Sequence, residues 1–182
     1  MGKILCLLLI ISLFVPSMSN AQDKASVPGI QNDKAAFGFG LGFDYGGIGV
    51  NFTGYPQKNI GIFGGVGYAI AGVGFNGGIK LRLVSKRNFT PYFVAMYGYN
   101  AAVAVIDNPN YNKLFYGPSI GLGFDIGPPI AKKGNFSFAI LIPFRSPDVN
   151  NYMNDLHNLY GVQFKNNLLP IGFSIGYKIN FI

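Results

Sequence analysis

The feature that most constrains this chain is a period of two. Across Phe37-Gly38-Phe39-Gly40-Leu41-Gly42-Phe43-Asp44, one set of alternate positions carries Phe, Phe, Leu and Phe, and the other carries Gly, Gly, Gly and Asp. Successive strand side chains point to opposite faces, so this segment predicts a strand with one bulky apolar face and one minimal face. The alternation recurs with Ile48, Val50 and Phe52 outside Gly49, Asn51 and Thr53, and with Val73, Phe75, Ile79 and Leu81 opposite Lys80 and Arg82. It continues in Ile120 to Ile126 opposite Asp125, in Phe136 to Phe144 opposite Arg145, and most clearly in Leu169 to Phe181 opposite Lys178.

Helices compete poorly for these segments. Asn59 to Ile79 carries no charge and is long enough to cross a bilayer, but it contains eight glycines, each costing about 1 kcal/mol relative to alanine in a helix. All seven acidic residues of the 182 are Asp, which leaves few of the helix-favouring Glu-containing clusters. Adding residues 60–70 and a less regular run over 92–106, with a bulge, gives eight strands. Connections are expected near 45–46, 55–59, 71–72, 84–90, 107–114, 127–135 and 146–167. Two-residue turns would pair Asp44 with Gly47 and Ile70 with Val73.

The N-terminus reads as an address. Lys3, the apolar run from Ile4 to Val15 and the small residues Ser19-Asn20-Ala21 form the pattern of a secretory signal peptide, with cleavage expected after Ala21. The run is too short to span a bilayer as a helix. Cys6 is the only cysteine in the sequence, so the exported chain would have no disulfide and no thiolate metal site. Residues 22–35 are expected to form an N-terminal periplasmic segment and 36–182 the barrel domain. Lysines and arginines lie in short turns such as Lys86-Arg87 and Lys132-Lys133, without the clustered basic face of a nucleic-acid partner.

The sidedness of charge decides the class. Asp44, Lys80, Arg82, Asp125, Arg145 and Lys178 all fall on the glycine-rich face of their segments. A soluble barrel puts its apolar face inside, yet Phe, Ile, Leu and Val fill one face of every strand here, more than eight strands can enclose. That face is expected to meet lipid, and a β-structure in hydrocarbon must close on itself to satisfy its backbone. The prediction is an all-β, eight-stranded, antiparallel up-and-down transmembrane barrel. Its narrow lumen would hold Phe63 and a charge cluster of Asp44, Lys80, Arg82, Asp125 and Lys178, leaving no open pore.

With these residues in place, the chain resembles the small eight-stranded outer-membrane β-barrel proteins of Gram-negative bacteria. The resemblance covers residues 36–182. Its most specific element is the last strand, where Tyr177, Ile179 and Phe181 match the alternating, aromatic-ended signal that the family's assembly machinery recognises. It implies location in the cell outer membrane, with lipids and that machinery as partners, and a monomer with a structural or surface-interaction role. With the N-terminus in the periplasm, the first, third, fifth and seventh connections would face outward.

The seventh connection carries its own pattern. Ser146, Pro147 and Asp148 suit a helix start and Gly161 a helix end, while Val149, Tyr152, Met153, Leu156 and Tyr160 share one face. That face is expected to lie on the barrel rim as a lid, or else to meet a partner or the outer leaflet. His157, the only histidine, raises the alternative of a lipid-modifying hydrolase or acyltransferase with Ser146 and Asp148 or Asp155. A soluble exported lipocalin-like carrier is the other alternative. Gly72-Val73-Gly74-Phe75-Asn76-Gly77 matches a dinucleotide fingerprint but opens a strand, not a helix. No catalytic, metal or cofactor residue is assigned.

Overall fold

The structure is a computed structural model, and it describes residues 33–83, 88–105, 108–127, 134–162 and 168–181. The expected signal peptide and most of the segment after it lie outside the described residues. Eight strands, β1 (Ala35–Gly42), β2 (Gly47–Gln57), β3 (Ile60–Ala69), β4 (Gly72–Arg82), β5 (Phe89–Val103), β6 (Lys113–Ile126), β7 (Gly134–Pro143) and β8 (Gly172–Phe181), follow one another around a closed barrel. All neighbours are antiparallel, and β1 closes on β8 from Ala35↔Phe181 to Gly42↔Ser174. One helix, α1 (Asp148–Tyr160), lies between β7 and β8.

The period of two becomes a radial partition. Phe37, Phe39, Ile48, Phe52, Val73, Phe75, Leu122, Ile140 and Phe173 are exposed on the outer wall, whereas Lys80, Arg82, Asp125, Lys178, Asn51 and Thr53 are buried. A core of Phe63, Tyr92, Val94, Met96, Ala139 and Leu141 fills part of the interior. The inward glycines leave the volume that these larger groups occupy.

The connections depart from expectation in informative ways. Asp44 does not pair with Gly47: β1 stops at Gly42, which pairs with Gly47, and Phe43–Tyr45 form a 3-10 turn. Glycine at both ends permits this, because Gly42 and Gly46 adopt φ of 111° and 68°, a region that other residues enter at a cost. Ile70 and Val73 do not pair either; Ala69 pairs with Gly72, and Ile70-Ala71 form the turn. β2 continues to Gln57 past a register shift between Gly54 and Gln57, so its turn shrinks to 58–59. The bulge expected in β5 lies between Tyr99 and Ala101. β7 ends at Pro143 and β8 starts at Gly172, leaving Phe144, Arg145, Leu169 and Ile171 outside the strands.

The barrel has two unlike ends. One holds Asp33, Phe181 and the turn at 58–59. The other is uneven, because pairing of β4 with β5 ends at Asn76↔Gly98 and of β6 with β7 at Ser119↔Pro143. Beyond those points, β5 and β6 continue together as a free-standing hairpin up to Val103↔Lys113. The helix α1 packs on this hairpin.

Candidate functional site: a filled lumen and a capped mouth

Three ion pairs cross the interior among the described residues. Lys80 pairs with Asp44, Lys178 Nζ approaches Asp125 Oδ2 at 2.7 Å, and Arg82 holds Asp33 with two bonds of 2.8 and 2.9 Å. All six side chains are 5% exposed or less. A charge removed from water without a partner costs several kcal/mol, so opposite charges inside a narrow wall are retained as pairs. Aromatic rings take up the remaining field of the cations. Lys80 Nζ lies 4.6 Å from the Phe63 ring centre and 5.0 Å from that of Tyr92, Lys178 Nζ lies 5.5 Å from Tyr92, and Arg82 stacks at 3.6 Å on Tyr55. Tyr92 thus stands between two of the pairs, its hydroxyl 3.1 Å from Ser137 Oγ.

The turn between β1 and β2 folds down into the barrel as a plug. Asn51 Nδ2 donates to the Asp44 carbonyl at 3.2 Å, the Asp44 N–H donates to Ser174 Oγ at 3.0 Å, and Asn76 Nδ2 donates to the carbonyls of Phe43 and Tyr99. Tyr45 is 1% exposed, and its ring lies against Gly40 and Gly176, partners across the β1–β8 seam. A Cβ at Gly176 would run into the Tyr45 phenol, and one at Gly65 into the Asp44 carbonyl. These glycines are therefore the seat of the plug, not only small inward residues.

Above the plug, α1 forms a lid. Val149 and Leu156 are buried against Ala101, Val103 and Phe115, with Tyr152 and Met153 partly buried beside them. Tyr160 stays 60% exposed and packs on Tyr111, with ring centres 4.9 Å apart and the planes tilted by 40°. The start falls one residue later than expected: Pro147, not Ser146, stands at the N-cap without a side-chain cap bond and the helix begins at Asp148, whose N–H donates to Ser146 Oγ at 3.3 Å, while Gly161 ends it with φ 66° and its N–H on the His157 carbonyl. His157 Nδ1 sits 3.1 Å from the Val162 carbonyl, while the Ser146 hydroxyl donates to Asp148 Oδ2 at 2.7 Å. Ser146 and Asp148 thus bond to each other, and the bond described for the His157 ring goes to a backbone carbonyl.

The five charged lumen residues are all buried inside, with Asp44 on Lys80, Asp125 on Lys178, and Arg82 on Asp33. Asp44 reaches its place from the plug turn and not from a strand. Asp33, the partner of Arg82, departs from the pattern: continued back from β1, period two puts it on the outer face, yet its side chain is buried. Lys34 still joins the ladder, with its N–H on the Phe181 carbonyl and its carbonyl accepting from the Tyr55 N–H. The chain bends inward just before it. In the last strand, Ile179 and Phe181 are exposed on the outer wall and Tyr177 packs between Phe39 and Phe136, at 5.8 and 5.1 Å. Gly72 to Gly77 lie within β4, so the fingerprint-like spacing opens no helix. No family model matches the chain, and neither curated proteins nor solved structures provide a match.

Proposed function

We propose that this chain is an integral β-barrel protein of the outer membrane of a Gram-negative cell, with a filled lumen and a structural or surface-interaction role. The observation that carries the reading is the radial inversion. Ile140, Phe173, Leu122 and Phe75 are 63, 61, 69 and 56% exposed on the outer wall, while the six lumen charges among the described residues are paired and buried. Contiguous apolar surface on this scale is a liability in water and the expected boundary of a barrel in hydrocarbon. A soluble carrier requires the opposite arrangement. The plug turn, the ion pairs and the lid favour a barrel that does not conduct. Tyr177, Ile179 and Phe181 are the proposed contact with the assembly machinery, and outer-membrane lipids are the proposed surroundings of the monomer. Export through residues 1–21 would leave the end bearing Asp33 and Phe181 in the periplasm and α1 outside.

Membrane fractionation tests this. The protein should sediment with the outer membrane and dissolve only in detergent. Release into buffer as a monodisperse protein would overturn the reading. A cysteine at Asn154, on the exposed side of α1, should react with a membrane-impermeant reagent on intact cells. Reaction only after the outer membrane is opened would reverse the orientation.

A further inference from the structure

The uneven mouth frames an open space that the lumen does not use. On one side stand the β5–β6 hairpin and α1; on the other, the wall stops low, at the turns 43–46 and 70–71 and at the start of β8. Between them lies an open vestibule of about 1850 Å³, with Phe43, Met153 and Tyr160 among its lining residues. Its volume exceeds the roughly 300–1,000 Å³ of ordinary small-molecule pockets. Over the low side its lining runs into the outer wall without a polar break, through Ile48, Ile70 and Phe173, which are 73, 80 and 61% exposed.

Arg145 is the one charged side chain lining this cavity among the described residues. Its Nε donates to the Asn100 carbonyl at 3.1 Å and its Nη1 to the Leu169 carbonyl at 2.6 Å. Two backbone carbonyls fix the guanidinium in place but leave its charge uncompensated, since the three ion pairs among the described residues do not include it. A guanidinium has five donors in a planar fork suited to carboxylate or phosphate. A positioned cation beside apolar walls, open toward the lipid-facing band, is complementary to a molecule with an anionic head and a hydrocarbon tail.

We propose that this vestibule binds an acyl-chain amphiphile with an anionic headgroup, drawn sideways from the surrounding leaflet over the low rim, with the headgroup on Arg145. The proposal rests on the membrane reading. It is tested on the full chain in micelles of an uncharged maltoside detergent, titrated with lysophosphatidic acid and with the monoacylglycerol of the same chain length, with bound molecules counted by native mass spectrometry. The phosphate-bearing probe should bind about tenfold more tightly. Arg145→Lys should keep a preference, Arg145→Gln should abolish it, and Met153→Trp, which enlarges a lining side chain, should weaken both probes.

Equal binding of the two probes, or a preference that survives in Arg145→Gln, would overturn the proposal. If Arg145→Gln fails to fold because it loses the Asn100 and Leu169 contacts, Met153→Trp decides: undiminished binding there places the amphiphile elsewhere and overturns it too. A chain that stays monodisperse without detergent fails the membrane reading itself. A detergent-dependent chain that ignores the headgroup fails only this proposal.

Discussion

The outer wall and the lumen are made by the same eight strands, yet they are nearly opposite materials. Outside, Phe, Ile, Leu and Val dominate the exposed band. Inside, six charges are arranged in three pairs around Tyr92, Phe63 and Tyr55. The contrast teaches that the two surfaces tolerate error differently. On the proposed membrane reading, a change on the wall meets a fluid that can adapt, whereas a change in the lumen leaves a specific partner stranded.

The largest expected effect follows from that asymmetry. Lys178→Ala leaves Asp125 buried and unpaired, and should cost about 3–5 kcal/mol in unfolding from detergent or lipid. The double variant Lys178→Met with Asp125→Leu should recover most of this, because it removes both charges. A double variant no more stable than Lys178→Ala alone would show that the pair has no mutual role. Next comes the wall: Ile140→Arg should cost about 2–4 kcal/mol in urea unfolding from bilayers, whereas Asn154→Arg on the exposed side of α1 should stay within about 0.5 kcal/mol. Equal costs at the two sites would erase the difference between wall and lid.

A smaller effect sharpens the contrast between barrel and lid. Gly161 ends α1 in the left-handed region, where an alanine costs about 1–2 kcal/mol. Gly161→Ala should speed amide exchange in α1 roughly fivefold or more while leaving β1–β8 protected. Acceleration in both would mean that lid and barrel open as one unit.

How much of this was legible in the sequence depends on how local each feature is. The eight strands, the sidedness of Lys80, Arg82, Asp125 and Lys178, and the end of α1 at Gly161 follow from spacing and capping, which neighbouring residues decide among themselves. The plug turn is less legible, because Phe37 to Asp44 alternates perfectly and only the glycines at 42, 46 and 47 hint that the strand stops early. Asp33 was invisible for a related reason: its inward course is set by Arg82, 49 positions away, and contradicts the parity of the strand it precedes. The difference in height between the β5–β6 hairpin and its neighbours depends on where pairing ends in four strands at once. Arg145, expected on an inner strand face, instead lies past the end of β7 at the mouth.

The central claim is that the outer wall faces hydrocarbon, and collision accessibility of spin labels tests it most directly. Single labels would be placed through cysteine at Ile140, Ile175 and Asn154 in the chain reconstituted in bilayers, with Cys6 the only native thiol in the sequence. The account expects the labels at 140 and 175 to collide readily with oxygen and to be shielded from a water-soluble nickel chelate, with the reverse at 154. Free access of the chelate to 140 and 175 would contradict it.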